Sequence, residues 1–381
     1  MRPSHQAGTN GPHSSGVPTG RIRPTATEAS GLVEMKVSGF HTTAVSVPLA
    51  KPITTAIHDM HSVGCVLLTL ETDEGHKGES LVFTLNGVRL DSLQAMLDSF
   101  SDLVIGRDPH ELGAIGGAVW KQLNPISHQG FGIAALSAID TACWDLIGKA
   151  AEQPLHRLFG ACRDQVWTYA SGGLWLSQSV DELCEEASEF LEQGFRAMKI
   201  RLGSRRAQDD IERVRAVREV IGPDVELLSD ANQGLGVKQA IRLGRALEPF
   251  DIRWFEEPVS YNDLRGSAEV RVALDIDIAG GETEYTRFGM QAILDAGAVD
   301  VLMPDLQRIG GLSEMRRVAA IASARHIPIS PHLFTEHSLC LAGSEPGCIS
   351  LEHMPWFEPL FNESLEIDNG FLRIPDRPGP G

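Results

Sequence analysis

The 381-residue chain has no Cys-x-x-Cys pair and no cluster of basic residues, and no uninterrupted apolar run approaches the roughly 20 residues of a membrane-crossing helix. Each absence excludes a class. Cys65, Cys143, Cys162, Cys184, Cys340 and Cys348 sit mostly among apolar neighbours, which reads as reduced core cysteines of a cytoplasmic protein. The 33 Lys and Arg are scattered against 51 Asp and Glu, a formal charge of −18, so neither a nucleic acid nor an anionic membrane is an expected partner. An acidic small molecule would have to be met by cations placed locally. No P-loop is present and no GxGxxG follows the first strand of the second half, which argues against a nucleotide-binding open sheet.

What is present is enough apolar residue, 42%, for a sizeable core. Residues 1–34 are rich in Gly, Pro, Ser and Thr and lack the apolar centre of a secretory signal; they are expected to be a disordered extension, with folding beginning near Met35. From Met35 the pattern is of strands, "MKVSGFHTTAVSVPL" and "GCVLLTLETDEGHKGESL", the second split by an Asp-Glu-Gly turn. Helical periodicity follows in "RLDSLQAMLDSFSDLVI", "HELGAIGGAVWKQL" and "GFGIAALSAIDTACWDLIGKA". Strands followed by segregated helices predict an α+β domain over 35–160.

Beyond about Asp164 strands and helices alternate. "VWTYASGG", "AMKIRL", "VELLSDAN", "IRWFEEP", "DIAGGE", "VDVLMPD", "IPISPH" and "CISLEHMP" are eight strand candidates separated by helical stretches. Repeated βα units of this number predict a closed α/β barrel over 161–360, a modified (β/α)8 TIM barrel, with an open doubly wound sheet as the alternative. The segment 361–381 is expected to return to the capping domain.

Polar residues gather where these strands stop: Asp230, Glu256, Glu282, Asp305 and His332. The first three are spaced by 26 residues each, about one βα unit, so adjacent strands are expected to present adjacent carboxylates at the rim where barrel enzymes act. Crowded carboxylates repel unless a cation lies between them, and oxygen-only ligands select a hard ion such as Mg²⁺. A single strand-end acid is commonly a helix cap; three in register are better explained as ligands. One strand earlier, "AMKIRL" carries Lys199 and Arg201 two residues apart, so both point to one face. Taken alone they could form an ion-pair layer.

The motifs "AIDTACWDLIGKA", "MKIRLG", "SDANQ", "WFEEP", "GGE", "MPDLQRIGG" and "SPHLF", in this order, resemble the mandelate racemase group of the enolase superfamily from Met35 to the end. Within that group "YASGGL" and "WFEPLFNESLEIDNG" are most similar to acid-sugar dehydratases of the talarate/galactarate type. The resemblance implies an N-terminal capping domain on the barrel and a homo-oligomer, an octamer or a dimer. It also implies Mg²⁺ on Asp230, Glu256 and Glu282, and an Asp305–His332 dyad in which the aspartate orients the imidazole. Glu358 matches the carboxylic acid that donates to the substrate carboxylate, and Asn232 is expected to touch substrate or a ligand oxygen.

Such a site removes the proton α to a carboxylate, with Lys199, the metal and an acid stabilising the enediolate. Family members that racemise carry Lys-x-Lys on the second strand; here the second position is Arg201, whose guanidinium is a poor base. One competent base, His332, suits elimination: it takes the C2 proton, the C3 hydroxyl leaves, and a 2-keto-3-deoxy acid results. A racemase, epimerase or cycloisomerase and a non-catalytic barrel are the competing readings. Substrate choice is assigned to two loops: "AKPITTAIHDMHSVG", with Lys51, Thr54, His58 and His61, and "VFTLNGVRL", with Asn86 and Arg89. Their polarity predicts a polyhydroxylated acid.

Overall fold

The computed structural model describes residues 35–380, and the expectation for residues 1–34 lies outside them. The N-terminal part is an antiparallel sheet of β1 (Val37–Thr54), β2 (Asp59–Thr72) and β3 (Lys77–Leu85) in that order. The Asp-Glu-Gly turn closes β2 onto β3 with Gly75 at φ 88°, a conformation glycine adopts without strain. The segment expected as the first loop is instead a hairpin: β1 runs to Thr54 and β2 begins at Asp59. Its irregularity is confined to a register shift between Pro48 and Ile53, where Pro48 and Pro52 offer no N–H to the ladder.

This sheet packs on the helix Phe131–Ala150, which touches β3 so closely that a Cβ on Gly78 would lie 2.2 Å from the Ala142 carbonyl oxygen. At 20 residues that helix is long and apolar enough to cross a membrane, although it contains no uninterrupted apolar run of that length; its most apolar 18 residues are 89% buried, and it serves as the core helix of the fold. Its acids are partnered. Asp145 accepts from the Glu79 backbone N–H at 2.8 Å, and Asp140 from that of Ser313 at 2.9 Å.

The second part is a barrel built on parallel strands β4 (Gln165–Ala170), β5 (Ala197–Arg201), β6 (Glu226–Asp230), β7 (Ile252–Glu256), β8 (Asp277–Gly280) and β9 (Val301–Leu302). β10 (Leu351–His353) pairs in parallel with β4. The predicted seventh strand, "IPISPH", survives only as single bridges from Ile329 to Leu302 and Cys348 and from His332 to Asp305. Pro328 and Pro331 remove two donors from it, which prevents a regular ladder while the bridges still close the ring.

Strand alternation sorts the side chains. Ala197, Leu228, Trp254 and Ala279 point inward to an apolar plug with Tyr169 and Met303, while Met198, Ile200, Leu227, Phe255 and Ile278 face the surrounding helices. One step further along the inward rows come Lys199, Asp230 and Glu256, and a step beyond Lys199 comes Arg201. The C-terminal segment does not simply return to the capping part. β11 (Ile367–Asp368) and β12 (Phe371–Arg373) form a hairpin whose second strand pairs antiparallel with β4, and the residues after it reach back: Asp376 accepts from Arg157 at 2.8 Å, and Gly379 accepts from Leu155 N–H at 2.8 Å.

The capping sheet is fastened to the barrel rim at several places, among them Thr54, whose carbonyl accepts from Leu176 N–H at 3.2 Å. The Gln307 amide acts as a strand partner for Phe83, accepting its N–H at 2.7 Å and donating to its carbonyl at 3.2 Å. The tip of the first hairpin rests on glycines: a Cβ on Gly203 or Gly234 would come within 2.7 or 2.6 Å of the Ala56 Cβ.

Candidate active site

Lys199 and Arg201 do share the inward face of β5, buried to 1% and 3% exposure. Lys199 Nζ lies 2.9 Å from both Glu256 oxygens and 2.8 Å from Glu352 Oε1. Burial alone would lower its pKa, but these two carboxylates outweigh it and hold the ammonium charged. Arg201 donates to Ser171 Oγ at 3.0 Å, lies 3.6 Å from Asp230 and stacks over Trp175 at 4.7 Å. Its Nε and Nη1 are buried without a hydrogen-bond partner among the described residues, donors suited to an oxygen-rich ligand.

Register places Arg201 beside Asp230 and Asp230 beside Glu256. The equal spacing misleads at the next step, because Glu256 pairs with Ala279, and Glu282 reaches the site from the loop three residues on, after Gly281 at φ 121°. Glu257 would point outward by alternation, but its φ of 36° turns it into the cavity, where one oxygen accepts from Gln233 at 2.7 Å and the other is unpartnered. Asn232 clamps Asp230, donating through its backbone N–H at 2.7 Å and its amide at 2.9 Å. The side chain of Asn232 is therefore engaged with Asp230, and it also lines the cavity.

No three or more of these donors are drawn together around one point among the described residues. Glu256 spends both oxygens on Lys199 and does not line the cavity, whereas Asp230, Glu257 and Glu282 do. The charge balance nonetheless fits a divalent cation. Burial, reinforced by neighbouring carboxylates, raises the pKa of Asp230, Glu256 and Glu257, so the cluster is short of positive charge. Its donors are all oxygen, the ligand set of a hard ion, and Glu257 keeps an oxygen without a partner.

His332 and Asp305 are bridged backbone to backbone, and Nδ1 sits 2.7 Å from Asp305 Oδ2. That contact fixes the ring with Nε2 turned away, 3.4 Å from Glu282 Oε2. Burial would lower the pKa of His332, yet Glu282, Asp305 and Glu352 together push it up to about 9. A cation on Glu282 would cancel the largest of those upward contributions and return the imidazole toward a base.

The carboxyl group at the tip of the eighth strand is Glu352, not Glu358. Glu358 is exposed on a short 3-10 turn, Glu358–Leu360, because β10 ends at His353. Glu352 accepts from Ser171 Oγ at 2.6 Å and Leu333 N–H at 2.9 Å, and Lys199, His332 and Arg201 hold its pKa below the usual range against the effect of burial. It lies in "CISLEHMP", so the strand-end rule that located the other acids also reaches it.

These groups surround a cavity of about 400 Å³. Of the expected capping residues only His58 lines it. Thr55 takes the place assigned to Thr54, whose hydroxyl instead donates to Asp59 at 2.9 Å. Lys51 faces a different cavity and His61 and Arg89 are exposed, while Asn86 holds the hairpin, donating to the Asp59 carbonyl and accepting from His61 N–H, both at 2.8 Å. Sequence reasoning passed over Trp175, Tyr261 and Tyr285, which line the cavity from loops, and Arg308, which lines it from the short helix Leu306–Ile309; none of these segments carries a periodic signal.

A capped barrel with acids on successive strand tips and a His-Asp pair across from a lysine defines a class, and the chain belongs to it: residues 38–160 match the mandelate racemase/muconate lactonizing enzyme N-terminal domain and 182–381 the enolase C-terminal domain-like family. It is 33% identical to arabinonate dehydratase of Saccharolobus solfataricus, over 84% of this chain and 88% of that one. It is 34% identical to D-galactarolactone cycloisomerase of Agrobacterium fabrum, over 91% and 96%. The crystal structure of L-talarate/galactarate dehydratase from Salmonella typhimurium, liganded with Mg and L-lyxarohydroxamate, superposes with a TM-score of 0.90 at 30% identity, covering 97% of this chain and 94% of that one.

Proposed function

We propose that this protein is a Mg²⁺-dependent dehydratase of acid sugars that removes the proton α to the carboxylate and expels the hydroxyl at C3. The observation that carries the reading is the inequality of two groups lining one cavity: His332, oriented by Asp305 at 2.7 Å, is a competent base, and Arg201, which we place at the other face of the substrate, is a guanidinium. Guanidinium does not give up its proton at working pH, so only one face has a base and racemisation lacks its second partner. Relatives named as dehydratases of arabinonate and of talarate and galactarate support the same reaction class.

Asp230, Glu256 and Glu282 would hold the ion, with Glu257 beside them, and the ion supplies Lewis-acid stabilisation of the carboxylate when bound. Lys199 places a fixed positive charge at the substrate carboxylate, where negative charge grows as the C2 proton leaves. Glu352 lies against Lys199, and the arriving substrate carboxylate favours its protonated form, able to donate. His332 Nε2 takes the C2 proton. The same imidazolium, still on that face, delivers a proton to the departing C3 hydroxyl, and the enol becomes a 2-keto-3-deoxy acid. Arg201, whose Nε and Nη1 are unpartnered, binds substrate oxygens from the opposite face.

The test is a screen of aldonates and aldarates with Mg²⁺, reading 2-keto acid as its semicarbazone. Product from at least one acid is expected. No product from any acid, alongside turnover of mandelate, would refute the dehydratase reading.

A further inference from the structure

We infer that the acid taken up here has a single carboxylate and a weakly polar far end, and that a second carboxylate is disfavoured. This rests on the dehydratase reading above and narrows its substrate. The cavity has two unlike ends. One is the charged floor at the strand tips. The capping sheet closes the other with Thr55, Ile57, His58, Met60, Phe83 and Leu85. Four of these six are purely apolar, and Thr55 Oγ1 is turned to its own hairpin, accepting from Ile57 N–H at 3.3 Å and His58 N–H at 3.1 Å. His58, exposed at the rim, is the one ionisable group that the capping part contributes to this lining among the described residues.

The barrel continues the apolar wall with Met354 and with Trp356, whose ring lies parallel to that of Trp175 at 6.3 Å. The wall is held in place: Phe83 is clamped by Gln307, and its ring packs on Phe334 at 5.6 Å and Phe357 at 5.3 Å. The cations that the capping segments do carry face elsewhere, Lys51 into a separate cavity beside Glu182 and Arg89 into solvent. Arg308 also borders the cavity, but it belongs to the acidic end, donating to the Glu282 carbonyl at 2.6 Å with Asp305 and Glu282 in its field.

A second carboxylate against this wall would give up its hydration with only His58 at the rim, among the capping residues, to donate to it, whereas a methyl group there would be favoured. The experiment compares, within each stereochemical series, the aldarate, the aldonate and the 6-deoxyaldonate in the presence of Mg²⁺. Turnover is read as kcat/KM, and binding by calorimetry in His332→Asn, which does not consume the ligand. The aldarate is expected at least about tenfold below its aldonate. The 6-deoxyaldonate is expected equal to the aldonate or up to about fourfold above it.

Ile57 is 49% exposed, so Ile57→Arg can add a cation to the wall without disturbing the core, and it is expected to close about tenfold of the aldarate gap. An aldarate bound as well as its aldonate in the preferred series overturns the inference, as does a gap unmoved by Ile57→Arg. If no acid yields 2-keto product but the binding order holds, the reaction assignment fails and the inference stands. Turnover with the binding order reversed has the opposite meaning, and binding of no acid at all refutes both.

Discussion

Lys199 and Glu352 form an ion pair of 2.8 Å in which each residue is 1% exposed, joining the second barrel strand to the eighth across the floor of the cavity. Breaking such a pair leaves an uncompensated buried charge, at a cost of about 3–5 kcal/mol. Glu352→Gln is therefore expected to lower the melting temperature and to reduce kcat strongly. Glu358→Gln, at an exposed position, should stay within about 0.5 kcal/mol of wild type. Thermal unfolding and steady-state kinetics of the two variants distinguish the assignments, and a large effect at Glu358 alone would reverse them.

Removal of divalent metal with EDTA is expected to abolish turnover, and Mg²⁺ to restore it. The two glutamates at the tip of β7 separate in this test. Glu256→Gln should weaken Mg²⁺ binding by at least about tenfold and also loosen Lys199. If Glu257→Gln does so instead and Glu256→Gln does not, the cavity-lining acid is the ligand. Calorimetric titration of the metal-stripped proteins reads both.

His332→Asn should remove dehydration together with exchange of the C2 proton in D₂O, because the opposite face holds only Arg201. Arg201→Lys introduces an amine that can lose its proton near other cations, so slow exchange or epimerisation is expected from the second face. Solvent deuterium incorporation by NMR, with both C2 epimers, checks each variant. Rapid exchange in His332→Asn would make Arg201 a base and remove the argument for elimination.

Gly234→Ala places a methyl group within 2.6 Å of Ala56 and should prop the hairpin away from the barrel. Overpacking of this kind costs about 1–3 kcal/mol, here charged to lid closure. KM should rise by about fivefold or more with little change in melting temperature. An unchanged KM would show that the hairpin tip does not close on bound substrate.

The barrel and its charged floor were legible because strand alternation is strict: Lys199 with Arg201, and Asp230 beside Glu256, follow from period two and from the βα repeat. Glu282 was found for a partly wrong reason, its equal spacing hiding a three-residue loop. Glu358 follows from the resemblance of "WFEP" alone, whereas the acid inside the site is Glu352, because β10 is only three residues long and ends before that motif. The lid was misjudged in a different way. Which side of a hairpin faces a cavity depends on the Pro48–Ile53 register shift and on docking against a remote part of the chain, and a one-residue change of register exchanges the faces. Polar residues in the segment were visible; their direction was not.

The Gln307 clamp on Phe83 has an evolutionary corollary. Gln307 lies two residues from Asp305 and next to Arg308, so the segment that orients the His332 imidazole also carries the peg on which the apolar wall hangs. Substitutions that re-aim Phe83 pull on that segment, while Ile57, Met60 and Leu85 can be exchanged without touching it. New substrates are therefore reached most cheaply by altering the hairpin side of the wall, with Phe83 and Gln307 changing together or not at all.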